Sequence, residues 1–155
     1  MRLTLHTDYA LRVLMYVGTK GDDLSTIGEI AERFEISGNH LMKVVHRLAR
    51  AGYLETVRGK NGGMRLGRKP AEINLGQLVR LTEEELAVVG CLQQGGYCRI
   101  ERACELRRVL REAMGAFLAV IDRYTLEDLL KPRSALAKLL AIDMKPSRRR
   151  VTPAA

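Results

Sequence analysis

Three cysteines, Cys91, Cys98 and Cys104, are the only cysteines in this chain of 155 residues, and six and five residues separate them. An odd number of cysteines on one short segment favours thiolate chemistry or metal ligation over a structural disulfide. Iron-sulfur clusters are held chiefly by thiolates, and the neighbouring Arg99 and Arg102 would help to keep the thiols ionised. The segment therefore indicates a cluster bound by three thiolates.

Such a cluster would need a weaker ligand at its fourth iron position, and the candidates are Asp8, Glu85 and His6. An iron held in this way should react readily with a small molecule. Two other interpretations of the cysteines stay open. A zinc site usually has C-x2-C pairs and four protein ligands, which this spacing lacks. The cysteines could also pack as small apolar groups or act as a redox switch without iron.

The composition is that of a globular protein with a polyanionic partner. Lys and Arg number 26 against 18 Asp and Glu, the net charge is +8, and 46% of the residues are hydrophobic. Such a charge suits DNA, RNA or acidic lipid. Residues 1–17 carry Asp8 and Arg12 among apolar residues, which fits neither a signal peptide nor a membrane span. We therefore expect a cytoplasmic protein without a membrane partner.

Three helices are predicted in the first fifty residues. Apolar spacings of three to four indicate a first helix over residues 3–17, a second that is capped by Ser25 or Thr26, and a third that begins at Asn39 after a tight turn. The outer face of the third helix carries donors that suit phosphates and base edges in a major groove, or that are simply solvated. These donors are Asn39, His40, Lys43, His46, Arg47 and Arg50.

A basic hairpin is predicted after the third helix, with strands at residues 53–57 and 64–66. The glycines of the connection permit a tight turn and a close approach to a surface, although a plain flexible hairpin would have the same sequence. Between residues 43 and 69 there are eight Lys or Arg and one acidic residue, Glu55. The candidate DNA-binding residues of the hairpin are Arg58, Lys60, Asn61, Gly62 and Gly63, with Arg65 as a further cation.

The predicted fold class is mainly α with a small β wing. A winged helix-turn-helix domain occupies residues 1–81, a cluster-binding loop residues 82–105, a dimerisation helix residues 106–130, and a flexible basic tail residues 131–155. Within the first domain, Asn74 is the expected cap of a short fourth helix. The long apolar stripe of residues 106–124 favours a homodimer over packing on the first helix, and a two-fold dimer would bind a palindromic operator.

Several longer segments resemble one family. They are MRLT at residues 1–4, TDYALR at 7–12, ISGNHLMKVV at 36–45, VRGKNGG at 57–63 and GYCRI at 96–100. Together they resemble the winged-helix iron-sulfur regulators, the family that includes NsrR and IscR. IscR-like members use a histidine after the cysteines, whereas no histidine follows His46 here, so the resemblance is closer to the NsrR-like, nitric-oxide-sensing repressors.

The resemblance implies a homodimer in which Cys91, Cys98 and Cys104 bind the cluster and Asp8 of the other subunit is the fourth ligand, with His6 as an alternative. We expect a 4Fe-4S cluster, with 2Fe-2S as the alternative. The implied function is to bind double-stranded operator DNA and repress until nitric oxide nitrosylates the cluster. The arginine run at residues 148–150 is not part of the family pattern.

Two other functions stay open, a thiol-based redox repressor without iron and an RNA-binding winged-helix protein. The sequence shows no nucleophile with its base, no phosphate-binding loop of P-loop form and no metal-hydrolase motif. We therefore expect no enzymatic activity and assign no catalytic residues.

Overall fold

The computed structural model describes residues 2–143 and confirms a mainly helical fold with a small antiparallel hairpin. In the described part, no helix is both long and apolar enough to cross a membrane. The elements are α1 (Leu5–Lys20), α2 (Ile27–Phe34), α3 (Gly38–Arg50), β1 (Leu54–Val57), β2 (Gly63–Leu66), α4 (Leu75–Thr82), α5 (Glu105–Ile121), α6 (Leu126–Leu129) and α7 (Arg133–Leu139).

Helix α1 lies at the centre of the fold. Its N-cap Thr4 accepts a hydrogen bond from the Thr7 backbone amide, and the helix ends at Gly21, whose φ of 78° suits glycine. Ala10, Val13, Leu14 and Val17 have no exposed surface, and α1 packs against α2, α3, β2, α4, α6 and α7. The predicted first helix is therefore confirmed, and it is the element on which the others assemble.

The helix-turn-helix consists of α2 and α3. Thr26, one of the two predicted caps, forms a capping box with Glu29, whose carboxylate accepts from the Thr26 amide at 2.8 Å. Helix α2 ends at Glu35, which has the left-handed φ of 54°. Helix α3 then begins at Gly38, one residue before the predicted start, and the side chain of Ser37 makes no capping hydrogen bond.

An isolated β-bridge between Ser25 and Met64 attaches the hairpin to the helices. Leu54 pairs with Leu66 and Val57 with Gly63, as the predicted strands require. Ser25, the other predicted cap, instead exchanges two backbone hydrogen bonds with Met64, at 2.9 and 2.7 Å. The hairpin is thereby held against the start of α2.

Helix α5 is joined to the first domain through α4. Asn74 caps α4 as predicted, accepting from the Gln77 amide at 3.0 Å, and its own amide group donates to the carbonyl of Asp122 at 2.7 Å. The Asp122 carboxylate also binds both terminal nitrogens of Arg80, at 2.6 and 2.8 Å, and this pair lowers the pKa of Asp122. The end of α5 is therefore fixed relative to the helix-turn-helix.

The prediction of a flexible tail from residue 131 is wrong for residues 131–143. Helix α7 packs against α1, where Arg133 Nε donates to the carbonyl of Thr19 at 2.8 Å. Ala137 and Ile142 are buried in the main core. Apolar burial orders this segment although it has no strong capping residue. The rest of the predicted tail, with the arginine run, lies outside the described residues.

We expect Thr26→Ala to lower the free energy of unfolding by about 1 kcal/mol, since it removes one half of the capping box. Ser37→Ala is the matched control, because this N-cap side chain makes no capping bond, and it should stay within about 0.5 kcal/mol of the parent. Urea unfolding followed by circular dichroism measures both. Equal losses in the two variants would contradict the assigned cap.

Candidate nucleic-acid interface and cysteine segment

Helix α3 has one apolar and one polar side. Its apolar side is buried in the core and consists of Leu41, Val44, Val45 and Leu48. The predicted contacts on its polar side, except one, are exposed, namely Asn39, His40, Lys43 and His46, together with Arg50. The apolar side thus fixes the helix while hydrogen-bond donors face outward.

Arg47 is the exception on α3. Its guanidinium donates to the backbone carbonyl of Leu81, in the last turn of α4, and the residue is half-buried. The helical spacing from Lys43 predicts an outward position, but the end of α4 covers this part of α3. In the single chain, the Arg47 side chain is therefore engaged in an intramolecular hydrogen bond.

The tip of the hairpin exposes Arg58, Lys60 and Asn61, whereas Gly62 and Gly63 are half-buried. A Cβ atom at Gly62 would lie 2.3 Å from the carbonyl oxygen of Val57, and one at Gly63 would lie 2.6 Å from that of Ser25. Both distances are too short for a side chain. These two glycines therefore shape the hairpin and permit its attachment to Ser25.

Two other cations of the basic region have partners within the chain. Arg65 pairs with Glu55 across the hairpin at 2.9 and 3.0 Å. Arg68 donates to the carbonyls of Ala51 at 2.5 Å and Gly52 at 3.1 Å, at the end of α3. Sequence analysis missed this role of Arg68, because the bonded residues are far apart along the chain and follow no local motif.

The cysteines lie on the segment between α4 and α5, which is a loop with two short 3-10 turns, Gly90–Leu92 and Glu101–Ala103. All three thiols are free and partly buried. Cys104 is the N-cap residue of α5, where the partial positive charge of the helix end favours an anionic group. An ion pair between Arg107 and Glu101 holds the second turn against α5.

Two of the three candidate fourth ligands already have partners in the single chain. The Asp8 carboxylate, on the first turn of α1, binds Arg12 through two contacts of 3.0 Å. One carboxylate oxygen of Glu85 accepts from the backbone amide of Ala87 at 3.0 Å. Either carboxylate would have to exchange its present partner for an iron.

His6 differs from the two carboxylates. Its Nε2 is buried and has no hydrogen-bond partner among residues 2–143. Burial lowers the pKa of His6, the nearby Arg47 lowers it further, and Glu83 and Glu84 partly oppose this effect. His6 lines a small apolar notch between α1 and α3, together with Leu5, Tyr9, His40, Lys43 and Val44.

The three thiols suit an iron-sulfur cluster by their chemistry, since they are free, accessible and close together in sequence. Their placement does not by itself complete a site. Within residues 2–143, no three His, Cys, Asp or Glu side chains are arranged to hold a metal ion. The described residues thus form no metal site from the three cysteines themselves or from the cysteines with Asp8, Glu85 or His6.

A helix-turn-helix followed by a basic hairpin defines a winged-helix transcriptional regulator. The chain belongs to the Rrf2 family, whose model, described as an iron-dependent transcriptional regulator, matches residues 3–132. The chain is 49% identical to the HTH-type transcriptional regulator NsrR of Bacillus subtilis over 142 residues, which cover 90% of this chain and 97% of that protein. The predicted family is therefore confirmed.

Solved structures show the same fold. CymR, described as the global cysteine regulator of B. subtilis, is 27% identical, with a TM-score of 0.66 and coverage of 83% of this chain and 95% of that one. IscR of T. potens has a TM-score of 0.66 at 22% identity over 94% of both chains, which shows the fold alone. These comparisons confirm the winged-helix fold class and a DNA-binding regulator, and they agree with the expectation that the chain is not an enzyme.

Lys43→Ala and Arg58→Ala should each weaken operator binding and reduce the magnitude of the slope of log K against log salt by about 1, because each would remove one proposed phosphate contact. Fluorescence anisotropy over a range of salt concentrations measures the slope. Lys138→Ala, an equal loss of charge on α7, is the control and should leave the slope unchanged. An unchanged slope in both test variants would rule out α3 and the hairpin as the DNA-binding surface.

Proposed function

We propose that the chain is a homodimeric transcriptional repressor that uses an iron-sulfur cluster to sense nitric oxide and then releases its operator. The observation that carries this proposal is the set of three free, partly buried thiols on the segment that directly joins the DNA-binding domain to α5. The matching family is described as iron-dependent, and the 49% identical relative bears the name NsrR. Both support the same assignment.

Cys91, Cys98 and Cys104 are the residues that would hold the cluster, and Asp8 of a second subunit is the proposed fourth ligand. When bound, the cluster supplies an iron with which nitric oxide reacts. Asp8 is half-exposed, which leaves its carboxylate accessible to a second chain. Arg12 orients that carboxylate in the free chain and would give up at least one of its contacts on ligation. A 4Fe-4S cluster fits three thiolates and one carboxylate, with 2Fe-2S as the alternative.

A homodimer is supported by the surface of α5. None of its residues is fully buried, and Leu106 and Val109 are 63% and 49% exposed. Val120, near the end of α5, is also exposed, and Tyr124 continues the stripe beyond it. An apolar stripe of this length on a small subunit favours association with a second copy. The two-fold dimer would place two α3 helices on a palindromic operator.

The cluster is tested by anaerobic reconstitution, with visible absorption and iron and sulfide analysis, followed by nitric-oxide titration during operator binding. We expect a coloured parent protein whose absorption and operator binding are lost together. Cys98→Ser should lose most of its iron and its response to nitric oxide, since only two thiolates remain. Tyr97→Phe, on the exposed neighbour, is the control and should keep both. Nitric-oxide-dependent release by iron-free protein would contradict the proposal.

The second candidate function is a thiol-based redox repressor. It is favoured by the partial exposure of all three free cysteines, which lets an oxidant reach them. A colourless protein that resists reconstitution, and that loses operator binding on oxidation and regains it on reduction, would establish this alternative.

Leu106→Glu should weaken the dimer at least about tenfold, because burial of one unpaired carboxylate in the interface costs more than about 1.4 kcal/mol. Analytical ultracentrifugation over a concentration series measures the dissociation constant. Arg111→Glu introduces the same side chain at an exposed position on the other side of α5 and is expected to have a much smaller effect. An equal effect of both substitutions would place the interface elsewhere.

A further inference from the structure

A hydrogen bond from one side chain of the recognition helix, that of Arg47, joins this helix to the end of α4. A terminal N–H group of Arg47, on α3, donates a hydrogen bond to the carbonyl oxygen of Leu81. The last four carbonyls of a helix have no partner within it and carry partial negative charge, so an arginine is a favourable ligand for them. Arg47 is half-buried by this contact, whereas Arg50, one turn further along α3, is exposed.

The next two residues of the chain bind α1. The hydroxyl of Thr82 accepts from that of Thr7 at 2.8 Å, and both residues are buried. The carboxylate of Glu83, which is 9% exposed, accepts from the backbone amide of Thr4 at 2.8 Å and from its hydroxyl at 3.0 Å. We call Leu81, Thr82 and Glu83 the α4 terminus.

The α4 terminus lies between the DNA-binding helices and the cysteine segment. Its first residue is hydrogen-bonded to α3, its second to α1 and its third to the N-cap of α1. The chain then continues into the segment that carries the cysteines. On the side of the DNA-binding domain, a movement of that segment therefore acts on the α4 terminus. Among the four hydrogen bonds described above, the one made by Arg47 connects the α4 terminus to α3, the helix that would enter the major groove.

We propose that Arg47 is a positioning residue that couples the cysteine segment to the recognition helix, and that it is not a DNA contact. The proposal rests on the proposed function for the signal that moves the segment. With the Leu81 carbonyl bound, α3 is held at a fixed angle to α4. When the α4 terminus shifts, Arg47 either follows it and tilts α3 or loses its partner.

Arg47→Gln tests the proposal, with Arg50→Gln as the matched comparison on the same helix. A DNA phosphate contact and a positioning contact differ in their salt dependence. We expect Arg47→Gln to weaken operator binding about tenfold at every salt concentration, with the slope of log K against log salt unchanged. Arg50→Gln should instead reduce the slope by about 1. A slope reduced by about 1 in Arg47→Gln would identify a phosphate contact and overturn the proposal.

Amide hydrogen exchange of the iron-free chain gives a second readout that does not depend on DNA. The Glu83 amide donates to the Val79 carbonyl at 2.9 Å and closes the last turn of α4. We expect it to exchange at least about threefold faster in Arg47→Gln, since the turn loses its link to α3. Arg47→Lys keeps a cationic donor on a longer side chain than that of glutamine, whose neutral amide is too short to replace the guanidinium, and it should restore part of the protection. Unchanged exchange in Arg47→Gln would overturn the proposal.

The coupling itself is measured as the ratio of operator affinities of reconstituted and iron-free protein. In the parent chain this ratio tests the proposed function, and a ratio of one would reject iron-dependent binding. In that case the salt dependence and the hydrogen exchange of Arg47→Gln would still decide the role of Arg47. With a parent ratio above one, Arg47→Gln should bring the ratio towards one. A ratio as large as that of the parent would overturn the coupling.

Discussion

The fold depends on the burial of the apolar residues of α1 within a chain of modest size. Ala10, Val13, Leu14 and Val17 are fully buried, and helices from both ends of the sequence pack on them. One helix therefore supports both the helix-turn-helix and α7. The same helix carries Asp8 on its first turn and receives the α4 terminus at Thr4 and Thr7. The structural core and the proposed sensing residues therefore share one element.

Much of this fold could be predicted because it is specified by local signals. Apolar spacing, the Thr26 and Asn74 caps and the glycine-rich connection determine α1 to α4 and the hairpin to within a few residues. The cysteine segment was also expected as a loop. The exposed donors of α3 and the hairpin follow from the same periodicity, since the residues opposite them form the core.

Other features could not be predicted because they arise from contacts between distant parts of the chain. Helix α7 is ordered by its burial against α1, which is more than a hundred residues away. Arg47, Arg65 and Arg68 all belong to the predicted basic region, yet each binds a group inside the chain. Charge counting treats such arginines as equivalent to Lys43 and Arg58. Only the tertiary structure separates cations that hold the domain together from cations available to phosphates.

The single chain contains the parts of a regulator but does not complete the proposed sensor. The proposed DNA-binding surface consists of α3 and the hairpin, and both are packed on the core. In contrast, no three His, Cys, Asp or Glu side chains within residues 2–143, the three cysteines included, are arranged to hold a metal ion, and α5 leaves apolar side chains exposed. A second copy would cover α5 and bring a further half-exposed Asp8, while the cysteine segment would still have to close around the cluster. In the proposed function, dimerisation and cluster assembly would therefore be linked, and the α4 terminus would be the place where the state of the cluster reaches the recognition helix.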